Sequence, residues 1–174
     1  MSGFIAMDGS SMIDLRSLGS IAQAKAYFAT TGQETLANAT VDSPASLFNP
    51  STSGKNILIT SWTVSSGIGS IVGFMYFITA NTDYGTDLLI SNAKAGGAAS
   101  VLASSHRATF TATSTGAPGT GTQFRRLYQQ YFVQLVPDGF GILLPNGSDS
   151  GVTTFMQSYA PGGIGSQSIS YLEF

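Results

Sequence analysis

The chain contains no cysteine and one histidine, His106, and only 9% of its 174 residues are charged. Without Cys there can be no disulfide, no thiolate metal ligand and no thiol nucleophile, and cysteine usage leaves the redox compartment open. A single His excludes a zinc site built from histidines. Any His-dependent mechanism would have to use His106, which lies in Ser104-Ser105-His106-Arg107 with no Gly-x-Ser-x-Gly elbow nearby. Adjacent strand residues face opposite ways, so only Ser104 would share its face, and the ordinary reading is a surface or edge-strand histidine.

Seven Lys and Arg stand against nine Asp and Glu, a formal net charge of −2. That balance lacks the basic stripe of a nucleic-acid binder, and Arg125-Arg126 reads as a solvated strand edge. Long apolar runs are also missing. Ile71-Val-Gly-Phe-Met-Tyr-Phe-Ile78 falls far short of the ~20 residues of a membrane-spanning helix and predicts a buried strand. Met1 to Asp8 has neither the basic stretch nor the apolar core of a secretory signal, so no membrane partner or export route is expected.

What the chain does have is 43% hydrophobic residues, 21 Gly, eleven Phe, seven Tyr and one Trp. An ordinary soluble domain has about a quarter of its residues charged. A chain this poor in charge either covers itself with Ser, Thr, Asn and Gln or lays much of its surface against other subunits.

From Pro50 onward, short apolar runs alternate with Gly, Pro, Asn and Ser clusters, the signature of strands joined by turns. Strands are expected near 55–64, 70–80, 87–91, 98–103, 106–113, 126–136, 140–144, 151–159 and 166–173. Pro137-Asp-Gly139, Pro145-Asn-Gly-Ser148 and Ala160-Pro-Gly-Gly163 supply the turns, Pro by fixing φ and Gly by allowing positive φ. The expected fold is an all-β antiparallel sandwich, jelly-roll-like, with a barrel as the alternative. Residues 1–45 read as a largely extended N-terminal arm and 46–174 as the sandwich. Ile21, Ala24, Tyr27 and Phe28 have helical spacing, which predicts a short helix from Ser20 to Ala29 capped by Ser20. Trp62, in phase with Val64, is expected in the core.

Leu47-Phe-Asn-Pro-Ser-Thr-Ser-Gly-Lys-Asn-Ile-Leu-Ile59 superficially suggests a phosphate loop. A P-loop, however, runs Gly-x-x-x-x-Gly-Lys-Ser/Thr into a helix. Here position 49 is Asn, Lys55 is followed by Asn56, and the β-branched residues that follow favour a strand. The segment is therefore expected to be a loop joining arm to body.

Carboxylates are sparse. Asp83 and Asp87 flank Tyr84-Gly85-Thr86, and Asp138 and Asp149 sit near turns. Such pairs are the minimum for glycoside hydrolysis, or for a Ca²⁺ site at Asp83 and Asp87, but turn-forming Asp is their usual role. No cofactor, metal or catalytic residue is assigned. Aromatic side chains are the remaining binding candidates. Tyr84, Tyr128 and Tyr159 are singled out as surfaces on which a glycan could stack, and Tyr128, Tyr131 and Phe132 lie close enough in sequence to act together.

The succession Ser43-Pro-Ala-Ser-Leu-Phe-Asn-Pro-Ser-Thr-Ser-Gly-Lys-Asn-Ile-Leu-Ile59, Pro137-Asp-Gly-Phe-Gly-Ile-Leu-Leu144 and Ser168-Ile-Ser-Tyr-Leu-Glu173 resembles β-sandwich virion proteins of tailed bacteriophages. In those, an aromatic-Asn-Pro-x-x-Ser-Gly loop leads into a strand, a Pro-Gly-x-Gly-Leu strand comes late, and an aromatic-x-Glu strand closes the domain. Here Pro-Asp-Gly replaces Pro-Pro-Gly, and Tyr171 stands where Trp is commoner. The resemblance spans residues 43 to 174. It implies a non-enzymatic structural protein made in the host cytoplasm and resident on the particle surface. Within that class it implies a capsid decoration protein, a homotrimer gripping the major capsid protein. A fibre or tail appendage, or a carbohydrate-binding receptor module, is the alternative.

Overall fold

A computed structural model of the chain describes residues 25–35, 42–103, 108–110, 122–136, 140–158 and 164–174. Eleven strands and no helix occur among the described residues. They are β1 (Ala26–Thr30), β2 (Glu34–Thr35), β3 (Asp42–Asn49), β4 (Ile57–Ile78), β5 (Thr86–Asp87), β6 (Leu89–Asn92), β7 (Ala108–Phe110), β8 (Thr122–Val136), β9 (Ile142–Leu144), β10 (Ser150–Ser158) and β11 (Ile164–Glu173). Two antiparallel sheets pack against each other, the β-sandwich expected from the turn spacing.

Two strands, β4 and β8, run through both sheets. The first half of β4 pairs with β11, which pairs with β1 and then β6; the second half pairs with β10, which pairs with β3, β7 and β5 in turn. β8 follows β4 through both halves, and β9 takes its place beside Ile57–Ile59. At the corner Ser65 pairs with Phe132 and Ser70 with Gln130, so Ser66-Gly67-Ile68-Gly69 stands against Tyr131 alone. Extra residues on one strand sharpen its bend, and the two glycines put little bulk there. Tyr131 takes up the turn with φ 63°, the one non-glycine residue with positive φ among those described, at a cost of about 1–3 kcal/mol. The strands expected at 55–64 and 70–80 are thus one bent strand, because Ser-Gly-Ile-Gly makes a bulge where the sequence suggests a turn.

Three other expectations change. Ala26–Thr30 is a strand between β11 and β6, with Tyr27 opposite Tyr171 and Asn92, so the predicted helix at Ser20–Ala29 does not form over these residues. Burial of Tyr27 and Ala29 against the core outweighs their helical spacing. The sandwich consequently begins upstream of the expected boundary at 45 and 46, and residues 1–24 lie outside the described residues. Leu47, Phe48 and Asn49 end β3 and are not loop; Pro44 is tolerated because the pairing with β7 begins only at Ala45. Finally, 98–103 is a turn-containing loop and not a strand.

Trp62, Ile59, Val64, Ile71 and Met75 fill the space between the sheets, all fully buried, as expected for Trp62. Each large apolar side chain so buried contributes about 2 kcal/mol. A polar bridge crosses the same space. The buried Gln167 Oε1 on β11 accepts hydrogen bonds from Trp62 Nε1 (3.1 Å) and from the hydroxyl of Thr154 on β10, while its backbone N–H donates to Thr31 Oγ1 (3.0 Å). Asn49 makes a second clasp where the chain leaves β3 for the other sheet. Its buried Nδ2 donates to the carbonyls of Lys55 (2.9 Å), Leu144 (3.0 Å) and Pro145 (3.2 Å). The loop that superficially suggested a phosphate site thus carries the chain from the second sheet to the first.

Two glycines are required by close approach. A Cβ on Gly73 would lie 2.9 Å from Leu135 Cδ2, and one on Gly151 would lie 2.6 Å from the Leu47 carbonyl oxygen. A side-chain end can shift more readily than a backbone carbonyl. Gly151→Ala is therefore expected to lower stability by about 2–3 kcal/mol and Gly73→Ala by about 1–2 kcal/mol, read as urea midpoints at unchanged slope. Equal or absent losses would contradict this packing.

Candidate functional site

Alternation decides which side chains the first sheet turns away from the core. One outward row is Leu143, Leu58, Leu172 and Ala26; the next is Ser61, Ser170, Phe28 and Ser91. A third is Gln134, Thr63, Ser168, Thr30 and Leu89, and the last is Phe132, Ser65 and Ser166. None of these positions is ionisable. Phe28, Leu89, Phe132 and Leu143 are nonetheless each about half exposed or more. The face is uncharged, hydroxyl-lined and studded with apolar side chains.

Its two ends differ. At the β9 end, Phe140, Leu143 and Phe174 are exposed beside half-buried Leu58. Gly141 packs onto Leu58, and reciprocal backbone bonds between Asn56 and Phe174 (2.8 and 3.1 Å) hold the last residue in line. This end is an apolar patch.

Seven residues further along β4, about 23 Å at ~3.3 Å per residue, the face opens into a cleft of about 410 Å³. Three hydroxyl residues, Thr30, Ser65 and Ser166, line it together with the Gln33 amide. Gly32, Gly67 and Gly165 leave room, and Ile164 supplies an apolar wall. Ser65 and Ser166 pair through their hydroxyls at 2.9 Å, and Thr30 Oγ1 accepts the Gly32 N–H at 3.1 Å. Phe132 lies directly across from Ser65, and Tyr131 faces the bulge that contains Gly67. The corner therefore places two exposed aromatic residues next to a neutral polar cleft.

Of the tyrosines singled out from sequence, Tyr84 lies elsewhere. Tyr84 is half-buried over the outer face of the second sheet. Its N–H donates to Thr109 Oγ1 (3.0 Å), and its hydroxyl, pushed up in pKa by burial, is hydrogen-bonded with Thr153. Tyr128 on β8 is paired in backbone register with Val72. Tyr159 lies outside the described residues, as do His106 and Asp138. Asp83 Oδ1 accepts the Gly85 N–H (2.7 Å) and Asp149 Oδ1 the Ser51 N–H (2.8 Å), both turn roles. No three His, Asp or Glu side chains gather as a metal site among the described residues.

Sequence reasoning did not identify Thr30, Gln33, Ser65 and Ser166, because they come from three distant segments. The one sequence signal was the alternation of serines facing outward in the last strand.

A second polar cluster lies at the far end of β11. The Tyr171 hydroxyl donates to Ser100 Oγ (2.6 Å), and Ser100 Oγ donates to Glu173 Oε1 (2.5 Å), which also accepts the Val101 N–H (3.0 Å). Tyr27 stacks on Tyr171 with ring centroids 5.5 Å apart. Burial raises the Glu173 pKa, against the opposing effects of these two bonds and of Lys55; burial likewise raises that of Tyr171. The cluster is closed from solvent and ties the 98–103 loop to the sheet, a structural role.

No family model matches the chain, and no curated protein or solved structure is significantly similar to it. Nor is any helix among the described residues long and apolar enough to cross a membrane.

A raised carboxyl pKa in the folded state means that the native protein holds the Glu173 proton more tightly than the unfolded chain does. Stability is then fully present below the ordinary carboxylate value, falls as pH rises through the window up to the raised value, and is level above it. Glu173→Gln keeps the acceptor for Ser100 and Val101 and removes the titration. Melting temperature against pH is expected to lose that falling segment in Glu173→Gln; parallel curves for the two proteins would refute the assignment.

Proposed function

We propose that the chain is a non-enzymatic structural protein of a tailed-bacteriophage virion, a capsid decoration protein that assembles as a homo-oligomer, a homotrimer, on the major capsid protein. The observation that carries this reading is the uncharged outer face of the first sheet, ending in exposed Phe140, Leu143 and Phe174 beside half-buried Leu58. Identical neutral faces can approach without like-charge repulsion, and contiguous exposed apolar side chains commonly mark an assembly surface. Among the described residues the short strand β9 pairs only with β4 and so forms a sheet edge at the same place. The resemblance in residues 43–174 to β-sandwich virion proteins points the same way. A fibre or tail appendage would use the same self-association and differ only in its partner.

Mass measurement in solution tests the reading. The wild-type chain is expected as an oligomer that binds bare capsid shells. Phe140→Glu combined with Leu143→Glu is expected to shift it to the monomer and abolish shell binding. A monomeric wild type, or a double variant that still assembles and binds, would overturn the proposal.

A further inference from the structure

We infer that the cleft at the corner end of the first sheet is a binding site for a neutral carbohydrate, with Phe132 as the stacking surface and Gln33, Thr30 and the Ser65–Ser166 pair as partners for sugar hydroxyls. A pyranose ring offers two kinds of surface, a face of C–H groups and an edge of hydroxyls that both donate and accept. The cleft offers the complement of each.

Phe132, about half exposed, sits opposite Ser65 on the neighbouring strand, where facing Cβ atoms are ~5 Å apart. It therefore stands beside Ser65 on the same face, next to the residues that line the cleft. Gln33, exposed at the rim, provides two N–H donors and one carbonyl acceptor on a single side chain. Each serine hydroxyl has one donor and two acceptor sites, so their mutual bond leaves capacity for an incoming hydroxyl. Thr30 Oγ1 accepts from the Gly32 backbone, which leaves its own O–H to donate. At about 410 Å³ the space is at the small end of the ~300–1,000 Å³ usual for small-ligand sites. None of the lining side chains is charged, which disfavours phosphate, sulfated or sialylated ligands and nucleic acid.

Tyr131 adds an independent observation. Positive φ is cheap for glycine and costly for a bulky aromatic residue, yet an exposed tyrosine occupies the position next to Phe132. Its side chain is exposed and lies outside the core cluster. Retained strain at an exposed aromatic residue beside a cleft is expected where that side chain meets a ligand. The apolar patch proposed for assembly is at the other end of the sheet, so the two surfaces can be occupied together.

Titration of the full chain with chitotriose and maltotriose as neutral probes, and with a sulfated disaccharide as the anionic control, tests the site. At least one neutral probe is expected to bind with a Kd around 1 mM. Phe132→Ala and Gln33→Ala are each expected to weaken it about tenfold or more, and Phe77→Ala, exposed on the second sheet, to leave it unchanged. If Phe132→Ala does not fold, Gln33→Ala decides. Failure of both neutral probes to bind, preference for the anionic control, or affinity untouched by the two cleft variants would overturn the inference. Oligomer mass reports separately on assembly, so failure of one reading is distinguishable from failure of the other.

Discussion

The carbonyl of one buried amide fixes where everything else in the sandwich lies. Gln167 accepts from the Trp62 indole of its own sheet and from the Thr154 hydroxyl of the facing sheet, in a space with no water-facing surface. Leaving either donor unpaired there would cost about 1–3 kcal/mol, so the bonds discriminate between registers far more strongly than a methyl packed against a methyl. A slip of β11 by one residue would turn Ser166 or Ser168 inward and expose Ile169. With the register held, Tyr171 and Glu173 meet Ser100 at one end of the strand and Ser166 meets Ser65 at the other. The closed polar cluster and the open cleft are thus two consequences of one alignment.

The bent ribbon of β4 and β8 gives that alignment its three-dimensional form. Because the same pair of strands runs through both sheets, the corner cannot move without disturbing each of them. Leu135, skipped in the β4–β8 register, reaches across to Gly73 in the other half of the ribbon, which explains why a side chain there would have to displace it. The outward surfaces are divided by the same geometry. The second sheet is capped by Tyr84 over Thr109, Ser46 and Thr153, whereas on the first sheet Phe28, Leu89, Ser91, Phe132, Leu143 and Ser168 are exposed.

Much of this was legible in the sequence. The β-branched and aromatic runs expected as strands near 140–144, 151–159 and 166–173, separated by Pro-Gly and Asn-Gly turns, pointed to the sandwich, and the phase of Trp62 with Val64 to its core position. The failures have physical causes. Tyr27 and Phe28 fit helical spacing by coincidence, while their actual partners, Tyr171 and Ser170, lie more than a hundred residues away. Pro44 obscured a strand whose neighbour begins only one residue later. Ser66-Gly-Ile-Gly69 has the composition of a turn and the role of a bulge, and no local pattern separates the two. The cleft was invisible for the same reason as β1: its residues from 30–33, 65–67 and 164–166 are brought together by long-range pairing alone. Tyr131 was noticed as an aromatic residue, but its positive φ could be known only from the fold.

The position of β11 between β1 and β4 bears on how the chain reaches its native state during synthesis. A ribosome releases residues at roughly 5–20 per second, and every earlier element of the first sheet must wait for 164–173 before that sheet can close. During that interval the inner edges of β1 and of the first half of β4 present unpaired backbone groups on a chain with very few charges to keep neighbours apart. Partial products ending before Ile164 are therefore the sticky species, and the order of translation makes the last strand both the keystone and the bottleneck of folding.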